Sequence, residues 1–180
     1  MGWSLNYQNL RKPDRLNSFL LSVGKALYLA NAFEYKCKYV LQMFKLVRHI
    51  DAGNSLDSAL TLTDTMKNKV LGKTLIELER FPAFSKNDIA LLDRAREARN
   101  FIAHKGALVP LEVSRLRLQH QITELKNEVI ALVPGDNIVS RWICEIEDNA
   151  PAPQEIQRLY PHWVEKWVFS DSAKNNYKGI

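Results

Sequence analysis

Cysteine is scarce. The 180 residues contain two, Cys37 and Cys144, too few for a disulfide framework. No C-x-x-C occurs, so a thiolate zinc site is not expected. Both cysteines lie among apolar residues in a helical pattern and read as buried free thiols. No uncharged stretch reaches the ~18 residues that a membrane-spanning helix needs. The opening residues, MGWSLNYQNLRKPDR, lack the apolar core of a signal peptide and miss the Ser/Thr of a myristoylation signal. The expected location is therefore the cytoplasm, with no membrane partner. No run of Lys/Arg forms a basic arm, and there is no internal repeat, no low-complexity tract and no stretch that demands a strand. The four histidines lack the i, i+4 pairing with an acid that marks a helical metal site, and no cofactor is expected.

What is present is ordinary globular composition, 46% hydrophobic and 25% charged, with a formal net charge of +5. One domain with an appendage suits this length, and a core can form without staples. The charge permits an anionic partner such as RNA without requiring one.

Helical periodicity runs nearly throughout. Asp14 can cap a helix of about 15–49, in which Leu16, Leu20, Val23, Leu27, Ala30, Cys37, Leu41 and Phe44 recur at three- and four-residue steps. That helix would be ~50 Å long, and its wide stripe suggests a bundle core plus a dimer contact. Asp51–Ser55 reads as a turn. A second helix spans about 56–80 and ends at Phe81-Pro82. Ser85 and Asp88 form a variant capping box for a third, about 86–105, closed by Gly106. Pro110 suits the start of a fourth, whose seam runs from Leu111 to Leu132 until Pro134-Gly135 breaks it. Shorter helices follow, carrying Ile138–Ile146 and Ile156–Trp167. The expected fold is all-α, an up-and-down four-helix bundle with one or two additional C-terminal helices. Its parts are an extension over 1–14, the bundle over 15–133, a helical appendage over 134–170 and a flexible tail over 171–180.

The stretch REARNFIAHKG, Arg96–Gly106, concentrates cations at the end of the third helix. At about 100° per residue, Arg96, Asn100 and His104 share one stripe, but Arg99 and His104 point about 140° apart. One helix cannot easily converge both on one small group. A loosened helix end, a reaching arginine side chain or two facing copies would each resolve this. Arginine forks two donors onto phosphate oxygens, and histidine moves protons near neutral pH. RNA carries its own nucleophile, so such a cleft needs a base, an acid and positive charge, but no metal.

Arg99-Asn100-Phe101-Ile102-Ala103-His104 resembles the R-N-x-x-x-H signature of the HEPN superfamily, and the helical context over 15–133 is similar too. The resemblance implies a homodimer in which Arg and His of both copies meet. It implies a metal-independent endoribonuclease that leaves a 2′,3′-cyclic phosphate and a 5′-hydroxyl, set in a toxin–antitoxin or abortive-infection system with an antitoxin protein as partner. Arg99 would then stabilise phosphate charge, His104 would be acid/base and Asn100 a polar helper. Arg96 and Lys105 lie beside the signature and are candidates for RNA phosphate binding. Lys105, Gly106 and Ala107 follow the histidine where some relatives carry a tyrosine, so adenylylation there is not expected.

Blander readings stand beside these. Arg and His at a helix C-terminus complement its dipole, and a HEPN-like module can bind nucleic acid or protein without catalysis. His49, His120 and His162 read as structural or solvent-facing. Trp142, Trp163 and Trp167 read as packing residues with base stacking as the alternative. Lys67, Lys69, Lys73 and Arg80 read as a solvated face that could track RNA.

Overall fold

The computed structural model describes residues 13–55, 58, 69–106 and 115–170. The N-terminal extension up to residue 12, most of the first half of the expected second helix, the helix start at Pro110 and the tail 171–180 lie outside them. The described residues form five packed helices and no strand: α1 (Pro13–Asp51), α2 (Leu71–Leu78), α3 (Lys86–His104), α4 (Arg115–Asp148) and α5 (Gln154–Phe169).

Local chemistry explains the boundaries. The Ser85 hydroxyl accepts the Asp88 N–H at 3.1 Å, and the Asp88 carboxylate accepts the Ser85 N–H at 3.0 Å. This reciprocal cap satisfies two donors at the start of α3, and such a cap contributes about 1 kcal/mol. At the end of α4, Asn149 takes a left-handed conformation with φ 50°, a conformation that asparagine tolerates.

Contacts between side chains give the helix directions. Asp88 meets Arg141 and Arg94 meets Glu128, so α3 and α4 are antiparallel. Glu34 meets Arg99 and Phe44 meets Phe84, so α1 and α3 are antiparallel as well. Lys126 meets Glu165 and Asp136 meets Tyr160, which sets α5 antiparallel to α4. One core joins them, built around Phe19, Phe33, Leu41, Leu92, Leu125 and Val139. Trp142 completes an aromatic cluster with Phe44, Phe81 and Phe84, its ring 5.2 Å from that of Phe44.

The expected break at Pro134-Gly135 is absent. Helix α4 runs through both residues. A proline inside a helix costs about 3 kcal/mol in lost hydrogen bonding and steric clash. Val133, Ile138 and Val139 on the same turns are buried, and each such side chain gains about 1.5–3 kcal/mol. Burial therefore outweighs the local penalty. Gly135 has its own reason to be there: a Cβ on it would sit 2.4 Å from the Ala95 Cβ and 3.2 Å from the Leu91 carbonyl oxygen. The glycine is a notch that lets α3 approach α4 closely.

Other expectations need correction. Leu20 and Leu27 belong to the apolar stripe of α1, yet both are exposed, because no described element covers that side. Cys37 is a buried free thiol, whereas Cys144 is only half-buried. Desolvation raises the Cys37 thiol well above its ordinary pKa. Trp163 and Trp167 are 46% and 44% exposed, so they are not core residues; Trp167 stands edge-on to Tyr28 with Lys25 over its ring.

Candidate functional site

Helix α3 delivers its cationic stretch to three different neighbours, α1, α2 and α4. Arg99 turns towards α1 and forms an ion pair through Nη2 with the Glu34 carboxylate. Its Nη1 donates to Asn100 Oδ1 at 3.2 Å. Its Nε is buried and has no hydrogen-bond acceptor among the described residues. Glu34 also receives Lys38 Nζ, one turn further along α1, at 2.8 Å. Two permanent cations thus share one carboxylate, and the cluster keeps a net positive charge. A carboxylate held between two cations orients both, because each side chain loses rotamer freedom to the same anchor.

This cluster lines an open groove of about 380 Å³ together with Asn31, Tyr35 and Gln42. Tyr35 is 70% exposed and offers an aromatic face to the groove. Tyr39 closes one wall. Desolvation raises its phenol above the ordinary value, and a hydrogen bond with Glu147 and that carboxylate's charge add to the effect. Tyr39 therefore stays protonated at neutral pH.

His104 is elsewhere. It is the last residue of α3, exposed, and not among the residues lining the Arg99 groove. No side chain among the described residues partners it. Lys105 lines a separate groove of about 280 Å³ with Phe101, Gln121 and Glu124, on the α4 side. Arg96 pairs with Asp93 at 3.0 Å, and its Cδ lies 3.9 Å from the position a Cβ on Gly72 would take. It lies alongside α2. The structure thus places Arg99 against Glu34 in a groove that His104, Lys105 and Arg96 do not line.

Glu34, Lys38 and Tyr35 are the residues the sequence reading missed. Their signal was present in the i, i+4 spacing of Glu34 and Lys38 on the polar flank of α1, a flank that an eye on the apolar stripe passes over. Of the other histidines, His120 pairs with Glu124 at 3.3 Å on the exposed face of α4, and His49 Nε2 lies 2.7 Å from the Ser58 hydroxyl. Among the described residues no group of three or more His, Cys, Asp or Glu side chains is placed to hold a metal ion, and no helix is long and apolar enough to cross a membrane.

Comparison with known protein families, curated proteins and solved structures finds no match to this chain.

Proposed function

We propose that the chain is a HEPN-like, metal-independent endoribonuclease that acts as a homodimer. The observation that supports this reading is the Glu34–Arg99–Asn100 arrangement: the signature arginine is anchored at an open, positively charged groove instead of waving in solvent. The alternating directions of α1, α3, α4 and α5 suit an up-and-down bundle of the kind such a protein needs, with α2 as a short insert before α3.

Arg99 and His104 of one copy face different ways, so the second copy supplies the missing partner. One His104 imidazole takes the proton of the ribose 2′-hydroxyl. The 2′-oxygen attacks phosphorus, and the bond from phosphorus to the 5′-oxygen breaks. The His104 of the other copy, as imidazolium, gives a proton to the leaving oxygen. Arg99 stabilises the charge that builds on the phosphate oxygens, and Asn100 holds its guanidinium in register. The products are a 2′,3′-cyclic phosphate and a 5′-hydroxyl. Arg96 and Lys105 lie outside the groove and would contact only flanking phosphates. A cytoplasmic toxin–antitoxin or abortive-infection setting, with an antitoxin protein as partner, fits an enzyme that cuts RNA without a cofactor.

The test is cleavage of RNA by purified protein in EDTA. Replacing Arg99 or His104 with alanine should lower the rate on the order of 10²–10⁴-fold while leaving circular dichroism unchanged. A wild-type protein that cuts only with Mg²⁺ present, or variants that cut as well as wild type, would sink this reading.

A second reading, a HEPN-like binding module without catalysis, draws on Glu34. A carboxylate already on Arg99 competes with a phosphate for it. That module would dimerise and bind RNA or protein with no turnover under any condition.

A further inference from the structure

The polar side of α1 does not end at the Arg99 groove. Glu34, Lys38, Gln42, Lys45 and His49 follow one another at steps of four, four, three and four, so they lie on one face of the helix. At its far end this face opens into a second groove, of about 450 Å³, lined by Lys45, Arg48, His49, Glu77, Arg80 and Phe81.

The charge of this second groove is lopsided. Glu77 is the one carboxylate among the described residues lining it, and it is occupied by Lys45 and Lys69 on either side. Desolvation opposes the Glu77 charge, but the hydrogen bonds and charges of the two lysines outweigh it and hold the carboxyl below its ordinary value. Arg48 and Arg80 are both exposed, and among the described residues neither has an acidic partner. Arg48 and His49 complement the dipole at the end of α1, an effect of ~0.3–1 kcal/mol each. That accounts for neither Arg80, which follows α2, nor Lys45 and Lys69. These two guanidiniums, without an acidic partner among the described residues, line one groove with the half-buried Phe81, whose ring also stacks on Phe44, and guanidiniums of this kind suit phosphate oxygens.

From Lys38 to Arg48 is ten residues of helix, ~15 Å of rise, a span of a few nucleotides. Tyr35 and Phe81 mark its two ends with aromatic rings. We propose that this face of α1 is a track for single-stranded RNA, with its phosphates held by Arg48 and Arg80 at one end and delivered to Arg99 and Lys38 at the other. The track rests on the ribonuclease reading and names how that site gathers its substrate.

The test uses the full chain carrying His104→Ala, so that RNA stays intact, and a fluorescein-labelled single-stranded RNA of about a dozen nucleotides, a length typical of single-strand binding sites. Anisotropy is read against NaCl concentration. Arg48→Glu with Arg80→Glu should raise Kd at least tenfold and flatten the slope of log K against log salt by roughly one or more, the share of two phosphate contacts. Arg158→Glu with Lys166→Glu, two exposed cations on α5, makes the same change in net charge and should leave Kd within about twofold. Arg48→Gln with Arg80→Gln, a gentler change, should fall between. Equal weakening by the two reversed pairs, or no RNA binding by the parent, overturns the track. Cleavage by the enzyme with His104 intact, with a KM unmoved by the Arg48/Arg80 reversal, overturns the track and leaves the ribonuclease reading standing. RNA bound with the expected salt dependence but never cut does the reverse.

Discussion

Helix α1 carries two knots of charge on opposite sides, and they are built to different plans. On one side Lys36 Nζ lies 3.0 Å from each Asp136 carboxylate oxygen and 2.9 Å from the Ser140 hydroxyl, while Tyr160 donates its hydroxyl proton to the same carboxylate. Asp136 is 3% exposed. Every strong donor there has its acceptor, and none of these residues lines either groove along α1. On the other side Glu34, Arg99 and Lys38 make two ion pairs but line an open groove, and one Arg99 nitrogen has no acceptor among the described residues. Density of ion pairs does not separate a closed knot from an open one. What separates them is whether the charges balance and whether a face remains open to a ligand. The closed knot joins α1, α4 and α5; the open one leaves a positive charge to be used.

The comparison is broken most directly at Asp136. Its replacement by alanine strands Lys36, and breaking a buried pair costs 3–5 kcal/mol. A quarter of the Lys36 side chain reaches water, so a loss of about 3 kcal/mol, the low end of that range, is expected in urea denaturation. An unchanged midpoint would mean that the closed knot is not structural. Tyr160→Phe comes next, at about 1.5–3 kcal/mol for one hydrogen bond to a charged acceptor. It also carries a pH signature. Desolvation, then the charge and hydrogen bond of Asp136, raise the Tyr160 phenol well above its ordinary value. The stability this confers is complete below the unfolded pKa of about 10 and is lost as pH rises beyond it, because the unfolded chain releases the proton first. Wild-type stability should therefore fall above about pH 10 more steeply than that of Tyr160→Phe. The smallest effect on stability should come from the open knot. Glu34→Gln should cost less than Tyr160→Phe, since the glutamine amide oxygen can still accept from Arg99 and Lys38, yet lower RNA cleavage at least tenfold by releasing Arg99 from its charged anchor. A stability loss as large as that of Asp136→Ala, with cleavage unmoved, would make the two knots alike after all.

Much of the fold was legible because helices announce themselves locally. The Ser85 cap and the three- and four-residue spacing of α1 and α3 are properties of neighbouring residues. The passage of α4 through Pro134 was not, because the side chains that outweigh the proline find their partners on other helices. The exposed Leu20 and Leu27 make the same point: spacing defines a stripe without saying which of its edges has a neighbour. The candidate site divides in the same way. Arg99, Asn100 and His104 stand together in the sequence, and the turn of about 100° per residue already separates Arg99 from His104. Glu34 lies far along the chain, and only folding brings it to Arg99.

The notch at Gly135 has a consequence for that encounter. It seats Ala95 at one axial and rotational position on α4, so α3 can neither slide nor roll without driving a methyl group into backbone. Arg99 is one turn beyond that seat. Residues added before Ala95 would leave the guanidinium where it is, but a single residue inserted between Ala95 and Arg99 would swing it through about 100°, away from Glu34 and out of the groove. The glycine acts as the index mark of a dial, and the site is read correctly only at one setting.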